Sequence, residues 1–449
     1  MKVAEHRLAR AKIRLTNPDG TPAANTEVKI DQTSHKFLFG CGAFDAVALV
    51  REQNAEKKAF LEERLKKWLA LFNYGTLPFY WGRYEPIEGS TAYEETMAAA
   101  KWLRERGVTL KGHPLCWHTV CAPWLMKYSN EEILDKQLKR IHRDATAYKG
   151  VIDMWDVINE VVIMPVFDKY DNAITRICKQ MGRIKLVKQV FEAAKESNPG
   201  ATLLINDFNT SVSYEILLEG LLEAGVPISA IGIQSHQHQG YWGLEKLNDV
   251  LERFSRFGLP IHFTENTLIS GELMPEHIVD LNDWQVDEWP STPEGEERQA
   301  REISEMYTTL FNHPLVEAIT TWDFNDGCWL KAPSGLVRTD IADHLTNDIR
   351  EHNVRVSTPT MPLTRSPLTS PPPATHAANA LKSALAKKSL MSIHFSGLRR
   401  SGLSLPYTII ASRYLMRGHG AALHCQVENL ANVLPTTSST TAKISSCVA

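Results

Sequence analysis

The sequence predicts a closed (β/α)8 TIM barrel, an α/β fold, with a short β extension before it and a basic tail after it. Eight short apolar runs alternate with seven longer amphipathic segments between residues 37 and 323. Such alternation is typical of parallel strands joined by helices, and eight repeats favour closure into a barrel. The alternative is an open, doubly wound sheet, whose first strand is commonly followed by a Gly-rich turn. Residues 39–43, FGCGA, lack the third, helix-opening glycine of that turn.

The apolar runs predict the barrel strands, and the helical patterns between them predict the covering helices. The strands are expected near residues 37–41, 70–76, 108–113, 151–158, 201–206, 229–236, 259–265 and 317–323. The helices are expected over residues 55–70, 93–107, 131–149, 184–197, 214–224, 244–256 and 294–312. An eighth helix should follow residue 323, and its only nearby candidate is a weak pattern at 342–352.

The two ends of the chain differ from this pattern, so we predict three parts: an N-terminal β extension at 1–36, the barrel domain at 37–352, and a tail at 353–449. Residues 7–36 alternate apolar and polar side chains around the turn sequence Asn17-Pro18-Asp19-Gly20, which predicts a hairpin or strand pair. From residue 357 onward there are nine basic residues and one acidic residue, so this part has a net charge of +8, whereas residues 1–356 have a net charge of −11. This Ser-, Thr- and Pro-containing tail is predicted to be disordered. A shifted, non-native reading frame after about residue 340 is the competing hypothesis.

The overall composition is that of a soluble globular protein, with 43% hydrophobic and 22% charged residues. A net charge of −3 argues against nucleic acid as a partner, and no apolar run approaches the roughly 18 residues that span a bilayer. Without a signal-peptide core at the start, we expect a cytoplasmic location, or secretion if the true start was trimmed. The seven irregularly spaced cysteines contain no CxxC pair and predict free thiols. The oligomeric state stays open.

Two glutamates give the strongest indication of function. Glu160 and Glu265 lie 105 residues apart, and each ends a predicted strand. Parallel barrel strands bring the side chains at their carboxyl ends to one rim. Hydrolysis of a glycosidic bond needs two carboxyl groups that flank one linkage. The pair therefore predicts a glycosidase, and the alternative is a structural ion-pair role for both residues.

Polar and aromatic side chains also end the neighbouring strands. Tryptophan faces stack on sugar rings, while amide and imidazole groups bind sugar hydroxyls. The candidates for sugar contact are His113, Trp117, Asn159, Gln234, His236, Trp322, Trp329 and Tyr80. His236 and His238 do not indicate a metal site, because residues two apart point to opposite faces of a strand. We predict no metal, no cofactor and a polysaccharide or oligosaccharide substrate.

Together these motifs resemble glycoside hydrolase family 10, whose best-known members are endo-β-1,4-xylanases. The resemblance covers about residues 7–340, and it rests on GHxLxWH at 112–118, WDVxNE at 155–160, NDxN at 206–209, QxH at 234–236, TE at 264–265 and the two late tryptophans. It implies that Glu160 is the acid/base and Glu265 the nucleophile. The implied reaction is hydrolysis of β-1,4 linkages in xylan or xylo-oligosaccharides with retention of configuration.

The resemblance also implies roles for the neighbouring polar residues. Asn159 would bind the sugar 2-hydroxyl, and His236 would orient or bind Glu265. Gln234 and His113 would line the central sugar site.

Three positions depart from the family pattern. Leu77 and Tyr80 stand where the family has an Asn and a Lys that hold the sugar on the non-reducing side, so apolar and aromatic surface replaces two polar contacts. Thr267 replaces an Asp two residues after the nucleophile, which would remove a partner of His236. Another β-linked glycan or a plant glycoside therefore stays open as substrate. A non-catalytic sugar-binding relative and an inactive chain without an eighth helix also stay open.

The segment from Asn266 to Glu294 is a long acidic loop that contains Trp284 and Trp289. Loops of this length without structure of their own are often functional. The sequence leaves two interpretations, a lid or extra sugar platform, and a surface excursion packed on the barrel.

Overall fold

The computed structural model describes residues 3–16, 21, 29–32, 34–338, 408–409, 414–417 and 424–429. The chain divides into two compact units, a barrel unit of residues 38–382 and a terminal unit of residues 1–37 and 383–449. The predicted eighth helix at 342–352 lies outside the described residues.

The barrel unit contains eight parallel strands. They are β3 Leu38–Gly42, β4 Tyr74–Pro78, β5 Thr109–His113, β6 Met154–Asn159, β7 Thr202–Asp207, β8 Ala230–Gln237, β9 Ile261–Leu268 and β10 Val316–Thr321. They close into a barrel in the order β10-β3-β4-β5-β6-β7-β8-β9. The predicted fold is therefore confirmed, and each predicted run overlaps one of the strands.

Helices connect these strands. They are α1 Phe44–Arg51, α2 Ala55–Leu69, α3 Trp81–Tyr84, α4 Tyr93–Arg104, α5 Asn130–Ala147, α6 Ala173–Met181, α7 Arg183–Ser197, α8 Val212–Glu223, α9 Gly243–Ser255 and α10 Pro293–Asn312. All seven predicted helices are present. The additional helices α1, α3 and α6 have at most nine residues each, too few for a clear helical period in the sequence.

Burial on both faces explains why the strands read as continuous apolar runs. Every residue of β9 is buried, as expected for a parallel strand with helices outside and packed side chains inside. Gly112 on β5 shows how tight this packing is. A Cβ at that position would lie 2.1 Å from the ring of Trp155 on β6. Glycine therefore allows the indole to pack directly against the backbone of the neighbouring strand.

The terminal unit contains antiparallel strands from both ends of the chain. The N-terminal strands are β1 Ala9–Thr16 and β2 Lys29–Gln32, and the tail strands are β11 Thr408–Ile409, β12 Tyr414–Arg417 and β13 His424–Asn429. β1 pairs with β11 and β13, and β2 pairs with β12. The two strands of the predicted N-terminal extension thus pair with tail strands, whereas the sequence suggested that they pair with each other. The prediction of a disordered tail lies outside the described residues, apart from these three short strands. The partners lie hundreds of residues apart, and a local pattern contains no information about such pairing.

No helix in the described ranges is long and apolar enough to cross a membrane. Five cysteines of the barrel unit are free thiols, namely Cys41, Cys116, Cys121, Cys178 and Cys328.

Candidate active site

The carboxyl ends of five strands, β5, β6, β8, β9 and β10, bring most of the predicted site residues to one rim of the barrel. β5 ends at His113, β6 is followed directly by Glu160, and β9 contains Glu265 near its end. β8 contributes Gln234 and His236. Trp322 follows β10 directly.

Glu160 occupies a strained backbone position. Its φ is +57°, in the left-handed region that non-glycine residues avoid at a cost of about 1–3 kcal/mol. The Glu160 N–H donates to the Asn206 carbonyl at 2.8 Å, which fixes the turn to the next strand. Trp117 Nε1 donates to Glu160 Oε2 at 2.8 Å and so holds one carboxyl oxygen in place. The backbone turn and the indole together fix the orientation of this carboxyl group.

Glu265 is held by donors on both of its oxygens. Asn206 Nδ2 donates to Oε1 at 2.7 Å, and His236 Nε2 donates to Oε2 at 3.1 Å. His113 Nε2 lies 3.8 Å from Oε1. The Glu265 side chain is 5% exposed, so these groups replace most of its contact with water.

Side-chain amides connect the two carboxyl groups. Asn159 Oδ1 accepts from Asn206 Nδ2 at 2.8 Å and from Gln234 Nε2 at 3.0 Å. Gln234 Nε2 and Asn159 Nδ2 each lie 3.3 Å from Glu160 Oε1. Because Asn206 also donates to Glu265, the hydrogen-bonded network runs from one carboxyl to the other.

The pKa of Glu160 is raised to about 8. Burial is the largest cause, because it disfavours the charged form. The hydrogen bond from Trp117 partly offsets this, and repulsion from Glu265 and Asp207 adds to it. Glu160 therefore carries a proton at neutral pH.

The pKa of Glu265 is lowered below its usual value. Burial alone would raise the pKa, but the interactions with His113 and His236 and the more distant charge of Lys111 outweigh it. Glu265 is thus a carboxylate at the pH at which Glu160 is an acid. Two carboxyls with pKa values pushed apart are the arrangement expected of an acid and a nucleophile.

A fully buried ion pair supports the site from below. Asp156 Oδ2 lies 2.7 Å from both Lys111 Nζ and His113 Nδ1, and each of these side chains is at most 1% exposed. Burial raises the pKa of Asp156, but Lys111 and His113 outweigh it, so the pKa is lowered. Lys111 was not among the predicted site residues, and Asn206 was predicted only as part of the motif at 206–209, without a role. A lysine inside an apolar strand, and an asparagine at the end of one, are the signals that could have identified them.

Thr267 is a hydrogen-bonding partner of His236, at the position where the family pattern has an aspartate. Thr267 Oγ1 lies 2.8 Å from His236 Nδ1. The aspartate is absent, but His236 keeps a hydrogen-bonding partner at this position, since residues two apart on β9 share a face and Thr267 points towards the same imidazole as Glu265. Because Nε2 donates to the Glu265 carboxylate, Nδ1 of a neutral ring accepts from the threonine hydroxyl.

Aromatic rings surround this polar centre. The Trp322 ring lies edge-on to His113 at 5.3 Å, and the Trp329 ring lies 4.7 Å from that of His236. Tyr80 lies 5.7 Å from the rings of both His113 and Trp117. Leu77, in contrast, is 0% exposed. Of the two substituted positions, only Tyr80 therefore contributes surface to the cleft.

The described part of the chain contains no group of three or more His, Cys, Asp or Glu side chains that could hold a metal ion.

The chain is similar in sequence to known glycosidases. The model of glycosyl hydrolase family 10 matches residues 78–341. The chain is 31% identical over 230 residues to an endo-1,4-beta-xylanase/feruloyl esterase of Xylanibacter ruminicola, covering 45% of this chain and 32% of that protein. It is 26% identical over 261 residues to endo-1,4-beta-xylanase A of Caldicellulosiruptor saccharolyticus, covering 54% of this chain and 71% of that protein. The chain thus spans about a third of the first relative and over two thirds of the second.

Solved structures share the fold. Xylanase 10B from Thermotoga petrophila, solved in complex with xylobiose, superposes with a TM-score of 0.58 at 20% identity, covering 79% of this chain and 95% of that chain. A family 10 protein from Paenibacillus barcinonensis superposes with a TM-score of 0.56 at 21% identity, covering 72% of this chain and 97% of that chain.

Proposed function

Because the chain belongs to glycosyl hydrolase family 10, we propose that it hydrolyses β-1,4 linkages in xylan or xylo-oligosaccharides by double displacement. The observation that carries this proposal is a pair of buried carboxyls with opposite protonation, Glu160 and Glu265, connected by side-chain amides at the mouth of the barrel. Retaining glycosidases use such a pair at a separation of about 5–5.5 Å.

In the first step, Glu265 attacks the anomeric carbon and forms a glycosyl ester. Protonated Glu160 gives its proton to the glycosidic oxygen as the bond to the leaving sugar breaks. The raised pKa of Glu160 supplies the proton at neutral pH, and the lowered pKa of Glu265 keeps the nucleophile charged. His236 Nε2 and Asn206 Nδ2 hold the two oxygens of the nucleophile in place.

In the second step, Glu160 acts as a base. Formation of the ester removes the negative charge of Glu265, so the repulsion that raised the pKa of Glu160 disappears. Glu160 takes a proton from water, and the water oxygen attacks the anomeric carbon and releases Glu265. Two inversions at one carbon give net retention.

The surrounding residues are suited to bind the reacting sugar. Asn159 lies between the two carboxyls, a position from which its amide can reach the 2-hydroxyl. His113 and Gln234 offer further polar contacts. Trp322 and Trp329 supply ring faces and edges beside them.

Product analysis tests the proposal. The purified chain is mixed with xylo-oligosaccharides, and the products are identified by mass spectrometry and their anomeric form by NMR. Glu265→Ala should abolish cleavage, whereas Glu252→Ala, an exposed position on α9, should leave it unchanged. Cleavage that survives Glu265→Ala, or products of inverted configuration, would refute the assignment.

A second candidate substrate is another β-linked glycan or a plant glycoside. Tyr80 favours it, because an aromatic ring beside His113 and Trp117 offers stacking where the family pattern has a cationic side chain. Cello-oligosaccharides and aryl β-glycosides in the same assay separate the two candidates. Faster cleavage of cello-oligosaccharides or aryl β-glycosides than of xylo-oligosaccharides would favour this second candidate substrate.

A further inference from the structure

The segment that connects β9 to α10, residues 271–291, is a closed loop with its own supports, and we call it the strap. Its two ends pair with each other through an antiparallel bridge between Gly271 and Ser291. Trp289 Nε1 donates to the Glu272 carbonyl at 2.8 Å, close to this base. The strap therefore leaves the rim and returns to the same point.

The middle of the strap reaches across the rim to the loop after β6. Lys169 Nζ lies 2.7 Å from Asp280 Oδ2 and 2.6 Å from Asp283 Oδ1. Between these acids, Asn282 Oδ1 accepts from Trp329 Nε1, after β10, at 3.3 Å. One short stretch of the strap is thus bound to loops that follow β6 and β10.

A further contact fixes the strap along the loop after β8. Gln239 Nε2 donates to the carbonyls of Pro275 and Ile278 at 2.9 and 2.8 Å. Lys331 Nζ, beyond Trp329, donates to the carbonyls of Val286 and Asp287, each at 3.0 Å. The strap is therefore held at several points, and its ion pairs with Lys169 connect it to the loop after β6.

The order of the barrel strands shows what the Lys169 contact encloses. Glu160 follows β6 and Glu265 lies on β9, so β7 and β8 occupy one side of the catalytic pair, and β10, β3, β4 and β5 occupy the other. The strap begins after β9, and Lys169 links it to the loop after β6. The strap and this loop therefore form a ring above the ends of β7 and β8. Gln239, which follows β8, contacts the strap on that side, so a sugar chain leaving the cleft over β7 and β8 would meet this ring.

We propose that the ion pairs of Lys169 with Asp280 and Asp283 latch the strap and close the β7–β8 exit of the cleft to long chains. Short xylo-oligosaccharides then fit, whereas polymer needs the latch to open. This inference rests on the proposed function and adds a preference for substrate length.

The latch is weak enough to open. The side chains of Lys169, Asp280 and Asp283 are 39%, 32% and 62% exposed. Exposed ion pairs of this kind shift an equilibrium by only about 1.4- to 5-fold each, and salt screens them. The strap is therefore a gate whose open fraction depends on charge and ionic strength.

The test combines two measurements on the full chain. The first is the ratio of kcat/KM on soluble xylan to kcat/KM on xylotriose. The second is backbone hydrogen exchange of residues 271–291, which reports the latch without any substrate. Lys169→Glu should raise the ratio roughly 2- to 10-fold and speed the exchange of the strap amides. About 1 M salt should also raise the ratio and speed the exchange in the parent protein, and should change both measurements little in the variant.

Two controls make the result specific. Lys139→Glu breaks a pair of equal length, 2.7 Å to Asp135 on α5 away from the rim, and should change neither measurement. Adding Asp283→Lys to Lys169→Glu places a lysine between two acids and should restore both parent values.

Faster exchange with an unchanged substrate ratio would overturn the length preference, and unchanged exchange would overturn the latch. If the parent cleaves no xylose-containing substrate, the proposed function fails instead. The exchange data then decide separately whether the latch exists.

Discussion

Replacing Glu265 by Gln should lower the pKa of Glu160, although the replaced residue lies on a different strand. The substitution removes a negative charge and keeps the shape of the side chain. It also imitates the charge state of the proposed glycosyl ester, in which the carboxyl of Glu265 is neutral. The pKa of Glu160 is therefore expected to fall from about 8 in the parent.

The magnitude follows from the separation that retaining pairs of carboxyls have. Two unit charges about 5.5 Å apart, at an effective dielectric constant of about 20, repel by about 3 kcal/mol. One pKa unit corresponds to about 1.4 kcal/mol, so the expected fall is about two units, to a pKa of about 6. The pKa stays above that of a free glutamate, because burial is the larger cause of the shift and the substitution does not change it.

The indole of Trp117 provides a direct assay. Its Nε1–H donates to Glu160 Oε2 at 2.8 Å, so its NMR resonance should titrate with this carboxyl. The titration midpoint is compared among the parent, Glu265→Gln and the exposed-site control Glu252→Gln. A midpoint that is unchanged or higher in Glu265→Gln would refute the reasoning that the nucleophile keeps the acid protonated.

Three further substitutions test other parts of the site and barrel. Trp117→Phe removes the hydrogen bond that lowers the pKa of Glu160. The alkaline limb of the pH profile of kcat/KM should therefore move to higher pH by about one pH unit, and a move to lower pH would contradict this. Asp156→Ala leaves Lys111 charged and unpaired in the core, and urea unfolding should show a loss of about 3–5 kcal/mol; a loss below about 1 kcal/mol would argue against a charged lysine there. Gly112→Ala forces a methyl group against the indole of Trp155. The same unfolding experiment should show a loss of about 1–3 kcal/mol in the free energy of unfolding. An unchanged midpoint would mean that β5 and β6 move apart at little cost.

The barrel was predictable because its pattern is local. Each strand is short, buried on both faces and preceded or followed by an amphipathic segment, so the sequence marks it without knowledge of its partner. Glu160 and Glu265 were identifiable for the same reason, since each is a carboxylate at the end of an apolar run. The helix Ala173–Met181 was missed because two and a half turns do not establish a period.

Features that depend on pairing between distant segments were not predictable. β1 pairs with strands more than 390 positions further along the chain, and nothing within either segment specifies the other. The bridging position of Asn206 and the hydroxyl that Thr267 offers to His236 depend on how neighbouring strands are staggered. A sequence shows which residues end a strand, but not which atoms then meet across the rim.

The pairing of Gly271 with Ser291 has an evolutionary consequence. Bridged strand residues lie about 5 Å apart, so a tight turn of a few residues could connect them as well as the present excursion does. Insertions and deletions between these two positions would leave β9 and α10 where they are, because added loop length costs little free energy. This barrel could therefore acquire or lose the proposed preference for substrate length by changes in a single loop, while the geometry of its two carboxyls stays under separate selection.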